Sequence, residues 1–358
     1  MNQILPVVEF RKLLRINGRE FMYLMWIIFL CLSVLIYVAG GRLSYYGDVL
    51  GEKWGIERSF IGLILLSTVT SLPELGTSLF SIFLVDSPDL ALGNVLGSNL
   101  FNIFIIPILA LLYREAFLNR SHPRHASTGN LVLLIYAILG LALTLHISGW
   151  HVPSFFHVSP FSLLIVVVAT GGLYLIYQNR GTDLNDTEAG LDEVKLYPDL
   201  NPRRATIVFA LSAFLVVLAG AGLAIVGKFL SVHTGLGDSF FGTLFFAFVT
   251  SLPEIIVSWM ALKQLDAVNL ALGNIMGSCL FNLAIIVFFD LATGGGAIFT
   301  LTGPAHLISV FLGIAMIALA SGAILERQNR PAQRAFPLEM VMISIVYLAG
   351  IYLLYLVR

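Results

Sequence analysis

The chain has 358 residues, of which 58% are apolar and 11% charged, with a formal net charge of −1. A soluble globular domain carries about 25% charged residues, so this composition excludes one and points into a bilayer. The net charge says nothing about partners, and no Lys/Arg cluster is dense enough to suggest a nucleic-acid-binding surface.

A helix that crosses a bilayer needs roughly 20 mostly apolar residues. By that rule the sequence predicts ten spans, at 22–42, 59–84, 88–112, 127–148, 157–178, 205–230, 238–262, 267–291, 303–324 and 338–357. Residues 1–20 are polar and basic, and the apolar run after them is long enough to span and has no clear cleavage site. That predicts a retained first span and no cleavable signal peptide. Asn2 to Ile16 reads equally as a short interfacial helix or a plain tail. Cys31 and Cys279 both fall inside predicted spans, where the sequence gives no argument about a disulfide between them. The one long polar stretch, 178–204, carries Asp183, Asp186, Glu188, Asp192, Glu193 and Asp199. It lacks the glycine and terminal glutamate of an EF-hand and reads as a solvated linker. The domains are then 1–178, a linker at 179–204, and 205–358.

The second span and the seventh carry the same peptide. Thr70-Ser71-Leu72-Pro73-Glu74 recurs as Thr250-Ser251-Leu252-Pro253-Glu254, and Gly93-Asn94 with Gly97-Ser98 recurs as Gly273-Asn274 with Gly277-Ser278. Segments 70–106 and 250–286 agree without a gap at 19 of 37 positions, at one offset of 180. Two homologous halves of five spans each must cross the bilayer in opposite directions, because five is odd. The expected fold is therefore all-α and polytopic, with ten transmembrane helices arranged as two inverted five-helix repeats. Asp86 and Asp266 also repeat, in the short loops after spans two and seven, and read as N-caps of the helices that follow. Asp290 has no repeat partner and is expected at the membrane interface. His146, His151, His157, His233 and His306 lie near span ends without ligand spacing.

Orientation follows the basic residues of the loops. Fourteen fall on the side of the 178–204 loop: Arg42, Lys53, Arg58, Arg114, Arg120, Arg124, Arg180, Lys195, Arg203, Arg204, Lys263, Arg327, Arg330 and Arg334. Six fall on the other: Lys228, Arg358, Arg11, Lys12, Arg15 and Arg19. This places the 178–204 loop in the cytoplasm and both termini outside, in a plasma (inner) membrane.

A carboxylate in mid-membrane costs a few kcal/mol on insertion scales, so it persists where it faces a polar cavity or binds something. Glu74 and Glu254 each sit beside a proline. Pro73 and Pro253 have no N–H, which frees the carbonyls of Val69 and Val249 four residues back. Bare carbonyls inside a membrane are tolerated where they line a protected cavity. Thr70 and Ser71 precede Glu74 by one helical turn, and Thr250 and Ser251 precede Glu254, so each group shares a face. Ser98 with Asn102, and Ser278 with Asn282, are likewise four apart. The glycines at 93, 97, 273 and 277 form small-xxx-small pairs for close helix approach. Carboxylates, hydroxyls, amides and freed carbonyls make an all-oxygen set that suits Ca2+ or Na+ better than zinc or copper. Either glutamate alone reads as a structural acid too, and their pairing is what argues otherwise. Asn94 and Asn274 read as structural and stay off the site.

The two copies resemble the alpha repeats of the calcium/cation antiporter superfamily, in its sodium/calcium exchanger branch. The resemblance implies that the chain is no enzyme and needs no cofactor. It implies a secondary active antiporter in the lipid bilayer that exchanges Ca2+ for a monovalent cation by alternating access, with spans one and six moving. By it, Thr70, Ser71, Glu74, Ser98, Asn102, Thr250, Ser251, Glu254, Ser278 and Asn282 are the metal-ligand positions, beside the carbonyls of Val69 and Val249. Two departures stand out. Sodium-coupled members often have glycine where Val69 and Val249 stand, and several have aspartate at the place of Asn282. Na+ is the expected coupling ion and H+ the alternative. From another class, a passive cation channel fits the same pattern.

Overall fold

The computed structural model describes residues 18–54, 61–113, 117–150, 157–178, 197–294, 296–329 and 337–358. The tail at 2–16, Arg58, Arg114, His151, Arg180, the acidic run from Asp183 to Glu193, Lys195, Arg330 and Arg334 lie outside them.

Among the described residues there are helices and no strand. In chain order they are α1 (Gly18–Lys53), α2 (Ser67–Thr70), α3 (Leu72–Phe83), α4 (Pro88–Tyr113), α5 (Arg124–Ile147), α6 (Pro160–Gln178), α7 (Pro202–Thr234), α8 (Asp238–Phe241), α9 (Ala247–Thr250), α10 (Leu252–Leu265), α11 (Val268–Ala284), α12 (Ile286–Thr293), α13 (Ala305–Asn329) and α14 (Leu338–Val357). Eight helical segments are long and apolar enough to cross a membrane among the described residues, α8–α10 and α11–α12 each counting as one. Two of the predicted spans take another form. One is π-helical over Ile61–Leu66 and then continues through α2 and α3. The other is α6, whose apolar part, Pro160–Ile176, is shorter.

Local chemistry explains the best-defined ends. Asn201 caps α7 by accepting from the Arg203 N–H at 2.9 Å, Pro202 opens the helix, and Gly235 closes it at φ 69°. A side-chain acceptor, a donor-free first residue and a left-handed glycine are what those three positions call for. Asp86 and Asp266 do not cap the following helices. They sit at φ 47° and 54°, just past the C-termini of α3 and α10. Aspartate is among the few residues that visit the left-handed region, so it ends a helix in place of glycine. Asp266 also pairs with Arg120 at 2.8 Å. Asp290 is fully buried within the protein and accepts from the backbone N–H groups of Ser159 and Ile298 at 2.8 and 2.7 Å.

Long-range contacts sort the loops into two ends of the molecule. Lys53 meets the Pro198 carbonyl, Glu52 the Tyr197 N–H, and His122 and His125 the Asn269 amide, all at the end that also holds Arg120 and Asp266. At the opposite end Ser87 and Lys228 meet Asp238, Asp89 meets Gly303 and His306, and Phe240 meets Tyr355. Between the ends α4 is buried along most of its length, whereas α1, α7 and α14 turn Ile27, Leu30, Phe214, Leu218, Ile345 and Leu348 outward. Hydrocarbon accepts such a surface, as water does not. The helices α1 and α7 pack on one another and lie across α10 and α3. The crossing points are glycines: a Cβ on Gly40 would reach 2.5 Å from Pro253 Cγ, and one on Gly220 would reach 3.0 Å from the Thr77 backbone.

Candidate functional site

Both repeated Thr-Ser-Leu-Pro-Glu segments break their helix at the serine. Ser71 has φ −87° and ψ 6°, and Ser251 has φ −84° and ψ 5°. The cause is the proline two residues on, which gives the carbonyl four residues back no N–H. Each break starts a new helix, α3 or α10, with the glutamate in its first turn. The partial positive charge of a helix N-terminus favours a carboxylate there.

The two breaks meet in the core. Thr70, Ser71, Glu74, Ser98, Asn102, Thr250, Ser251, Glu254, Ser278 and Asn282 are all fully buried. Their hydrogen bonds form a reciprocal lattice. Ser71 donates to Glu254 Oε1 at 3.4 Å, and Ser251 donates to Glu74 Oε1 at 3.3 Å. Thr70 meets the Ser278 hydroxyl at 3.1 Å, and Ser98 meets that of Thr250 at 3.2 Å. Thr70 donates to Asn274 Oδ1 at 3.3 Å, and Thr250 donates to Asn94 Oδ1 at 3.1 Å. Exchanging the two copies maps each bond onto its mate, which is the signature of a two-fold relation.

The valines precede the breaks, and the side chains of Val69 and Val249 pack in the apolar core. Asn102 and Asn282 lie one turn beyond Ser98 and Ser278 on α4 and α11. Asn282 Nδ2 donates to Asn99 Oδ1 at 3.1 Å, while neither polar atom of Asn102 has a protein partner. Glu74 Oε2, Glu254 Oε2 and Asn282 Oδ1 are also buried without one. Buried polar atoms are normally paired, and unpaired ones cost about 1–3 kcal/mol each. Four carboxyl and amide oxygens left over in one core are therefore an oxygen donor set suited to a hard cation.

Sequence reasoning left several members of this lattice aside. Asn94 Nδ2 donates to the Glu74 carbonyl at 3.3 Å and to Ser78 Oγ at 3.0 Å. Asn274 does the same for the Glu254 carbonyl at 3.5 Å and Ser258 at 3.2 Å. These asparagines tie each glutamate's helix to the next one and to the threonine of the other half. Their repetition within the Gly-Asn motif was the available signal. Gly97 permits this closeness, since a Cβ there would collide with the Thr243 backbone.

The surroundings are unequal at the two ends. Beyond the lattice on the Ser87 side, Trp26, Phe29, Phe241, Phe245 and Phe246 pack as one aromatic plug. Lys228 Nζ, the Ser231 hydroxyl and the Ser87 hydroxyl all converge on Asp238 there. On the Tyr197 side a small cleft of about 50 Å3 is lined by Gly41, Ser44, Asp48, Leu66, Tyr197 and Ala261, among others. At its mouth the Tyr197 hydroxyl donates to Asp48 at 2.8 Å. Burial, then the neighbouring Asp48 carboxylate, push the Tyr197 phenol up, so it stays protonated as a donor through the physiological range.

An all-helical, lipid-faced body with a two-carboxylate centre inside its apolar core defines a multi-pass integral membrane protein. The chain belongs to the sodium/calcium exchanger protein family, whose sequence model matches residues 24–177 and 204–358. The two matched stretches flank the acidic linker. The putative antiporter CaxA of Alkalimonas amylolytica is 27% identical over 256 residues, covering 71% of this chain and 76% of that protein. The fold resembles that of the sodium-calcium exchanger NCX_Mj, with a TM-score of 0.58 at 20% identity over 92% of this chain and 98% of that one. It also resembles the H+/Ca2+ exchanger CAX, with a TM-score of 0.63 at 13% identity over 99% and 89%.

Proposed function

We propose that the protein is a secondary antiporter that exchanges Ca2+ for Na+ by alternating access at the Glu74–Glu254 centre. The observation that carries this reading is the reciprocal lattice, which holds two carboxylates together in the core with one oxygen of each unpartnered. Two carboxylates balance the charge of Ca2+, and the hydroxyls, the freed carbonyls of Val69 and Val249, and the amides of Asn102 and Asn282 supply further oxygens. The chain crosses the membrane ten times as two inverted repeats, 1–178 and 205–358. The loop contacts support this, because every residue in them falls at the end that ten alternating crossings assign to it. The linker lies in the cytoplasm of a cell whose inner membrane holds the protein.

Ca2+ and its counter-ions compete for one centre of charge −2. Holding both at once would leave uncompensated charge at low dielectric, and the vacant centre is unfavourable for the same reason. The protein therefore changes sides when loaded. The cleft on the Tyr197 side, set against the aromatic plug on the Ser87 side, fits a state facing the cytoplasm.

A second reading couples Ca2+ to H+. It rests on Asn at both 102 and 282, which leaves only two carboxylates to neutralise, and two protons do that. The experiment is 45Ca2+ uptake into proteoliposomes loaded with Na+, K+ or acid. Uptake driven by an outward Na+ gradient supports the first reading, and uptake driven only by internal acid moves the coupling to H+. Uptake that ignores every gradient makes the protein a passive cation channel.

A further inference from the structure

We propose that Asn99 is a positioning residue that fixes which end of the Asn282 amide faces the cation, and that Cys279 withholds the same service from Asn102. The proposal rests on the cation-site reading above and deepens it.

The argument starts at a backbone carbonyl. Asn99 Nδ2 donates to the carbonyl of Cys279 at 3.0 Å. A carbonyl only accepts, so Asn99 must point its NH2 group there and its Oδ1 the other way. Oδ1 in turn only accepts, so the neighbour that meets it must bring a donor. That neighbour is Asn282, whose Nδ2 lies 3.1 Å away. The Asn282 Oδ1 is thereby turned from Asn99, buried and without a protein partner. A one-way relay from a main-chain oxygen thus leaves a side-chain oxygen free on the helix face that also carries Ser278. Both asparagines are fully buried, so water does not compete for these bonds.

The other half lacks the relay. The repeat mate of Asn99 is Cys279, whose thiol reaches only the Asn99 carbonyl, at 3.9 Å. Nothing accepts from Asn102, and both of its amide atoms are unpartnered. Asn102 can present either its oxygen or its NH2 group, whereas Asn282 is held oxygen-first. Two residues that look equivalent in the duplicated motif are therefore unequal as ligands, and the inequality is set one residue after Ser98 and Ser278.

The test is a double-mutant cycle read by the Michaelis constant of 45Ca2+ exchange in proteoliposomes. Asn99→Ala leaves Asn282 free to rotate. The expected result is a rise in KM of about three- to tenfold with kcat within about twofold, the size of one orienting hydrogen bond. Asn282→Asp removes the donor and sets a carboxylate oxygen against Asn99 Oδ1. In that background Asn99→Ala relieves the conflict, so KM should fall instead of rise. A packing defect at 99 would raise KM in both backgrounds, and that result, or no change in the Asn282 background, overturns the proposal. Glu74→Gln and Glu254→Gln run alongside. If they leave uptake intact, the cation site itself is misplaced, which is a different failure. Each variant is checked by size-exclusion profile, and Asn99→Ser, too short to hold both the Cys279 carbonyl and Asn282, serves where Asn99→Ala does not fold. It must raise KM in the native Asn282 background as Asn99→Ala does, or the relay is wrong.

Discussion

Ser71 donates its hydroxyl hydrogen bond to Glu254 in the other half of the chain, although Glu74 stands three residues away in its own half. Ser251 returns the bond to Glu74. Each carboxylate is therefore oriented by the opposite half, and the pair behaves as one unit.

The first expectation concerns the carboxylates. Glu74→Gln and Glu254→Gln each remove one of the two charges that match a divalent cation. Losing a charged partner in a buried bond costs roughly 1.5–3 kcal/mol, about ten- to a hundredfold in Ca2+ affinity. Isothermal titration of the purified variants with Ca2+ should show equal losses for both, and a Gln variant that binds as well as the native protein would exclude its glutamate from the site.

The serines test the reciprocity. Ser71→Ala and Ser251→Ala each delete one neutral donor to a carboxylate, and each should weaken Ca2+ binding by about 1 kcal/mol, near fivefold. The double variant should lose less or more than the sum, because residues in one bonded network are not additive. Strict additivity would mean that the two bonds do not communicate.

At the Ser87 end, Lys228 and the hydroxyls of Ser87 and Ser231 meet on Asp238 below an aromatic plug. Lys228→Ala should loosen that end and admit reagents toward Leu90, which is fully buried. The readout is labelling of Leu90→Cys by a membrane-impermeant maleimide added from that side, in a background where Cys31 is replaced by Ser. Labelling should be several-fold faster with Lys228→Ala, and an unchanged rate would show that the plug alone closes this end.

Helix contact is testable through Gly97, where a side chain would meet the Thr243 backbone. Backbone cannot turn aside as a side chain can. Gly97→Ala should destabilise by about 1–3 kcal/mol. For a chain of this size that is several degrees in the melting temperature, measured by tryptophan fluorescence in detergent.

Much of this was legible in the sequence, and the reasons differ by element. The breaks at Ser71 and Ser251 follow from a local cause, a proline without an N–H, and were readable at once. The meeting of each glutamate with the serine of the other copy was readable because the motif recurs. The N-cap reading of Asp86 and Asp266 failed because aspartate suits two opposite positions, before a helix and in the left-handed turn after one. Which of them applies depends on the boundary between α3 and α4, and composition does not locate it. Asn99 escaped notice because its importance lies in a bond to a main-chain atom of another helix. No pattern along the chain reports that.

The lattice has a consequence for the intact chain. Thr70 and Thr250 also reach the local carbonyls of Ser67 and Phe246, but the bonds from Ser71 and Ser251 to the glutamates both run between the two halves. A protein severed inside the acidic linker would retain all of its donors, yet each fragment by itself would hold an unserviced glutamate. Co-expressed fragments would have a chemical incentive to find one another, and the centre would come into being at the moment of their reunion.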